Sequence, residues 1–145
     1  MLDEAALDGL KLKYQKVGVY SYNGHQLVFR KPTRDDAREY RRERESQGEK
    51  HEATEHLAQR VLVALDGELD VIKARTAYTS IFLEEFPFFA SIPEVQALLG
   101  WLGGLVEDEE AEHLGKGVRA LSVRRKPTPE ASPNGSGTAP GPLPS

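Results

Sequence analysis

The sequence contains no cysteine, and that absence removes a disulfide framework, thiolate metal sites and a cysteine nucleophile together. Long apolar runs are lacking too. No stretch approaches the roughly 20 apolar residues that a membrane-spanning helix needs, and the opening MLDEAALDGLK has neither the basic start nor the apolar run of a secretory signal. Charge of a single sign is equally scarce: the formal net charge of −4 is the difference between 19 basic and 23 acidic residues. From Arg30 to Arg60, nine basic side chains interleave with eight acidic ones, so a helix there carries a mixed solvated face and not a basic footprint for nucleic acid. The expectation is a soluble cytoplasmic protein with no membrane or nucleic-acid partner.

Large apolar side chains give out toward the C-terminus, where Lys126 onward reads KPTPEASPNGSGTAPGPLPS. Such a segment has too little apolar surface to offset the entropy lost on ordering it. It is expected to be a disordered tail over 126–145. The rest of the 145 residues suits one modest domain, expected over 15–125, with 1–14 as an N-terminal arm.

What is present begins with a hairpin over 15–31. KVGVYSY and HQLVFRK are rich in β-formers and flank Asn23-Gly24, a pair that tolerates positive φ at both centres of a type I′ turn. The turn sets the register: Tyr22 faces His25, Tyr20 faces Leu27 and Gly18 faces Phe29. Tyr20, Leu27 and Phe29 then share one face, with Val19 and Val28 on the other. Pro32 stops the strand, and Thr33 with Asp36 forms a weak capping box for the helix DDAREYRRERESQ. That helix has only Ala37 and Tyr40 as an apolar stripe, so arginine stems must cover part of the core.

Three more helices complete a helical body over 33–114. The first runs from about Glu49 to Asp66, with Ala53, Leu57, Val61, Ala64 and Leu65 spaced by threes and fours and Gly67 as its stop. The next runs from about Asp70 to Glu85, and Pro87 ends it. The last carries Val95, Leu98, Leu99, Leu102 and Leu105 behind a capping box of Ser91 and Glu94 around Pro93. VRALSVRRK beyond it fits a short helix or a strand. The fold class expected is therefore α+β, mainly α: an N-terminal β-hairpin, a four-helix bundle-like body and a disordered tail.

No constellation supports catalysis. His51 and His56 in HEATEH are five residues apart, about 140° round a helix, whereas a helical zinc pair needs a spacing of four to share a face. The acidic run Glu107 to Glu112 has five carboxylates in six residues without the alternation and turn glycine of a calcium loop. Gly103-Gly104 and Gly115-Lys116-Gly117 lack the frames that cradle phosphate. Neither enzyme activity, metal nor cofactor is expected.

Aromatics are few but concentrated, with three of the five phenylalanines in Phe86-Pro87-Phe88-Phe89 and the single tryptophan at Trp101. They fit a core between the last two helices, or a partly exposed groove. On the second reading Phe86, Phe88, Phe89, Leu98, Trp101 and Leu102 form a partner-binding surface.

The hairpin followed by LVFRKPTRDDAREYRRE, Leu27 to Glu43, resembles the tail assembly chaperones of tailed bacteriophages and related tail-like or gene-transfer particles. The segments EHLAQRVLVAL, FLEEFPFFASIPEVQALLGWLGGL and EDEEAE suit the same family, so the likeness spans about Lys16 to His113. It departs from the family in the first helix, where Arg41, Arg42 and Arg44 stand where larger apolar residues are usual. The resemblance implies a protein of the host cytoplasm, absent from the finished particle. It would bind the helical tape measure protein and help recruit tail tube protein, and self-association stays open. Two other classes remain open: a virion structural adaptor of the head-tail connector type, and a small DNA-associated regulator resting on RRERE and VRRK.

Because the tail has little apolar area to bury, deletion after Lys126 should leave the thermal midpoint unchanged. A drop of more than about 4 °C, worth roughly 1 kcal/mol in a domain of this size, would show that the tail packs.

Overall fold

The computed structural model describes residues 1–47, 50–83 and 89–123, and the expected tail lies outside them. The hairpin forms as its turn dictates. Asn23 and Gly24 take φ of 53° and 84°, and β1 (Lys16–Tyr22) pairs with β2 (His25–Arg30) in the expected register, Tyr22 to His25, Tyr20 to Leu27 and Gly18 to Phe29. Tyr20, Leu27 and Phe29 enter the larger apolar cluster, while Val17, Val19 and Val28 enter a smaller one on the opposite face.

The bundle-like body does not form, because the hairpin grows into a four-stranded antiparallel sheet. Its order is β3-β2-β1-β4. β3 (Leu62–Leu65) adds to β2, and β4 (Val118–Ser122) adds to β1 by pairing Val19 with Arg119 and Tyr20 with Val118. A two-stranded ribbon is marginal alone, and the extra strands supply the missing backbone partners. The fold is α+β, with helices on both faces of the sheet.

Residues 1–14 are not a loose arm. Asp3 caps α1 (Glu4–Tyr14) by accepting the Ala6 N–H at 2.9 Å. Leu7 is buried against Val17, Val19, Val28 and Val63, with Leu10 and Tyr14 packed beside it. Glu4 then clamps Arg119 of β4 through both oxygens, at 2.9 and 3.2 Å, which ties the helix to the far strand.

α2 (Arg34–Gln47) starts at the expected box, with Thr33 N–H donating to Asp36 Oδ2 at 2.8 Å and Asp36 N–H donating to Thr33 Oγ1 at 3.2 Å. The helix expected to run to Asp66 ends early. α3 (Lys50–Val61) passes straight into β3 with no intervening loop. Such a junction strands the last helical carbonyls, which need outside donors. Arg30 Nη2 donates to the Arg60 carbonyl at 3.0 Å, Arg75 Nη2 donates to the same oxygen, and Arg75 Nε donates to the Leu62 carbonyl at 3.3 Å. Two cations at a helix C-terminus also complement its dipole.

α4 (Val71–Tyr78), capped by Asp70, lies along β3 and continues as one π turn, Thr79–Leu83. The rest of the helix expected there falls on residues outside the description. α5 (Pro93–Leu102) lacks the expected capping box: Ser91 belongs to a 3-10 turn, and Ile92 precedes the helix without a side-chain cap. Proline at the first turn leaves fewer orphan donors, so the box is dispensable. α5 lies tight on β1 at Gly18, where a Cβ would collide with Leu98. Among the described residues no helix is long and apolar enough to cross a membrane.

Two outcomes follow from these junctions. Gly24→Val should lower stability by about 1 to 2 kcal/mol through strain at positive φ, and an unchanged denaturation midpoint would contradict the turn. Arg75→Ala should cost about 2 to 3 kcal/mol, because a charge-assisted bond is lost and buried carbonyls are left short of donors. Arg75→Lys should recover less than half of that loss, since one ammonium cannot reproduce the two-point fork. Equal urea midpoints for wild type and Arg75→Ala would contradict the role given to this junction.

Candidate functional site

The aromatics expected at a partner surface are core residues wherever the structure describes them. Phe89 is 1% exposed and Trp101 0%, and Leu98 and Leu102 are as deeply buried. Phe89 packs against Phe82 at 4.7 Å and Tyr22 at 5.4 Å between ring centres. The core reading therefore holds for these four, since none can meet a partner without opening the domain. Phe86 and Phe88 lie outside the described residues.

Trp101 has a second task. Its Nε1 donates to Asp108 Oδ1 at 3.0 Å. Lys16 Nζ sits 4.4 Å from the ring centre, donates to the Trp101 carbonyl at 2.8 Å and approaches Asp108 at 3.7 Å. These contacts among three residues join β1 to the chain leaving α5. It anchors the segment that carries Leu105, which is 88% exposed.

Beside that segment opens a groove of about 710 Å³. One wall is the face of α2 that bears Ala37, Tyr40, Arg41 and Arg44. Opposite stand Leu99, Leu102, Gly103 and Leu105 at the end of α5, with Leu57 of α3 also lining it. Lys31 and Arg34 also line it, and Glu45 is the single acid among the described lining residues. An apolar centre with a polar, charged margin is the anatomy of a recognition surface. A smaller concavity of about 320 Å³ adjoins it, sharing Lys31, Leu102 and Gly103 and reaching Asp108 and Lys16.

The wall on α2 stands although its helix has almost no apolar stripe, because ion pairs on its inner face replace one. Asp36 is 7% exposed; its Oδ2 accepts from Arg30 Nη1 at 2.8 Å, and its Oδ1 lies 4.0 Å from Arg60 Nε. Although burial pushes the Asp36 carboxyl up, the Thr33 backbone N–H and the Arg30 guanidinium outweigh it and hold the group below the usual carboxylate value. Further along, Glu43 lies 3.6 Å from Arg60 Nη2 and 2.8 Å from His56 Nδ1. His56 is thus an α2–α3 tie, and the His51 side chain lies outside the description.

Among the described residues lining the groove, no nucleophile and base stand side by side. The nearest thing to a dyad lies elsewhere: His25 Nδ1 is 2.7 Å from Asp66 Oδ2, while Asp66 Oδ1 accepts the Gln26 N–H at 2.7 Å. Asp66 has φ of 52°, so its carboxylate staples the turn after β3 to the hairpin. Among the described residues, no three His, Asp or Glu side chains gather as metal ligands would.

Tyr40, Arg41, Arg44, Leu102 and Leu105 can each be picked out in the sequence, but their convergence cannot. The groove draws on three helices distant in the chain, and the only local hint was an arginine-rich helix too poor in apolar residues to be covered on all sides. No family model, curated protein or solved structure matches this chain.

Proposed function

We propose that this protein is a non-catalytic assembly chaperone that holds an amphipathic helical segment of its client in the groove between α2 and α5. The carrying observation is the groove itself: the half-buried Tyr40 and Leu57 over a floor of buried Leu99 and Leu102, lined as well by Lys31, Arg34, Arg41 and Arg44, with Leu105 exposed at its edge. A helix presenting an apolar stripe between acidic flanks complements such a surface. On this reading, which follows the family resemblance, the client is a tape measure protein of a phage or phage-like tail, with tail tube protein as the next component recruited. This reading puts the contact at the groove instead of at Phe89, Leu98 and Trp101, which are buried.

The reading is tested by co-expression with the tape measure protein, whose exposed apolar stripe otherwise drives self-association. Wild type should carry the client into the soluble fraction. Tyr40→Ser with Leu105→Asp should fail to do so while keeping an unchanged circular dichroism spectrum, since Tyr40 is only half-buried and Leu105 is exposed. A folded double variant that still solubilises the client would remove the groove from the binding site. Stoichiometric retention of the protein in finished particles would favour the structural adaptor instead.

A further inference from the structure

Charges that alternate along α2 in sequence are sorted by the fold. Asp36 and Glu43 are taken up by Arg30, Arg60 and His56, and Asp35 and Glu39 pair with Arg38 and Arg42 at 3.2 and 2.8 Å. Lys31, Arg34, Arg41 and Arg44 are left without an ion pair among the described residues, and all four line the groove. Against them stands one described acid, Glu45, so the groove is positive although the chain as a whole carries −4. A basic track is thus assembled from a segment whose mixed charge pattern argues against one.

The spacing of these cations bears on the ligand. Arg34, Arg41 and Arg44 stand within about 80° of one another round α2 and cover about 15 Å of its length, at roughly 100° and 1.5 Å per residue. A single phosphate or carboxylate needs its cations gathered at a point, whereas cations strung along a wall fit a linear polyanion. On the same wall lies the half-buried Tyr40, with the Arg44 guanidinium carbon 5.6 Å from the centre of its ring. We propose that the groove binds single-stranded nucleic acid, with phosphates on Lys31, Arg34 and Arg41 and a base stacked at Tyr40 and Arg44. A rigid duplex cannot enter such a concavity, while a single strand can turn its bases into it. An acidic peptide would meet the same cations, but every base has a π face for the ring and guanidinium to stack on, and a carboxylate has none. Few phosphates are held, so binding is of roughly micromolar order and is weakened by salt.

Fluorescence anisotropy of the full chain with a labelled oligothymidylate of about 12 nucleotides reads the binding directly, beside the same length of duplex and of polyglutamate. Wild type should bind the single strand at least about fivefold more tightly than either comparison, with a log–log salt slope of about −2 for three phosphate contacts. Arg34→Glu with Arg41→Glu should weaken strand binding at least about tenfold. Arg38→Glu with Arg42→Glu changes the net charge equally on cations that do not line the groove, and should bind the strand within about twofold of wild type. Tyr40→Leu keeps the bulk but not the ring, so it should weaken the strand about fivefold or more and leave polyglutamate unchanged. Urea midpoints and near-ultraviolet circular dichroism check that each variant is folded, and Arg34→Gln with Arg41→Gln supplies a milder pair that should lose binding in the same order. Wild type that ignores the strand would overturn the proposal, as would equal binding of polyglutamate or equal losses in the two charge-reversed pairs. None of these measurements involves a client. Failure of strand binding beside intact client capture therefore rejects this site alone, and the reverse result rejects only the client reading.

Discussion

The carbonyl of Arg60 accepts hydrogen bonds from two guanidiniums, those of Arg30 and Arg75, and much of the domain is arranged around that point. It is where α3 stops being a helix and β3 begins. A helix end buried without donors would leave orphan carbonyls at a cost of about 1 to 3 kcal/mol each, and here the donors arrive from β2 on one side and α4 on the other. The same Arg30 reaches Asp36 at the first turn of α2, so one residue of the hairpin fixes both the helix-to-strand switch and the start of the helix that walls the groove.

From that point the connection to function is short. α2 is held by Asp36 and Glu43 against Arg60 and His56, which leaves the adjoining face, with Ala37, Tyr40, Arg41 and Arg44 about 40° to 140° round the helix, to line the groove. α5 is held by Leu98 against Gly18 and by Trp101 through Lys16 and Asp108. Both walls are fixed by contacts on their inner sides, so the surface between them is preformed. Preformed surfaces lose less entropy on binding than those that must order at the moment of contact.

How much of this was legible depended on how local the deciding interaction was. Asn23-Gly24 carries its own turn geometry, so the register of β1 and β2 could be read residue by residue. Thr33 with Asp36 likewise acts within four residues. The run Leu62 to Leu65 fits either period, and its choice of strand is made by Arg75 and by pairing with Leu27 and Val28, neither of which is near in sequence. β4 waits on a partner about a hundred residues upstream. α1 was within reach, since Leu7, Leu10 and Tyr14 repeat at three and four residues. The aromatics show the limit from the other side: composition marks Trp101 and Phe89 as important, but only packing reveals that they are interior and that the exposed surface belongs to Leu105 and the arginines of α2.

The central claim is that the groove between α2 and α5 is the working surface of the protein. Hydrogen exchange of the chain, alone and in complex with the tape measure protein, tests it most directly, because protection reports where backbone becomes covered or stabilised. New protection should be confined to residues 34–47 and 99–107, with α1 and β4 unchanged. Protection appearing instead along β4 or α1, with the groove exchanging as freely as before, would contradict it.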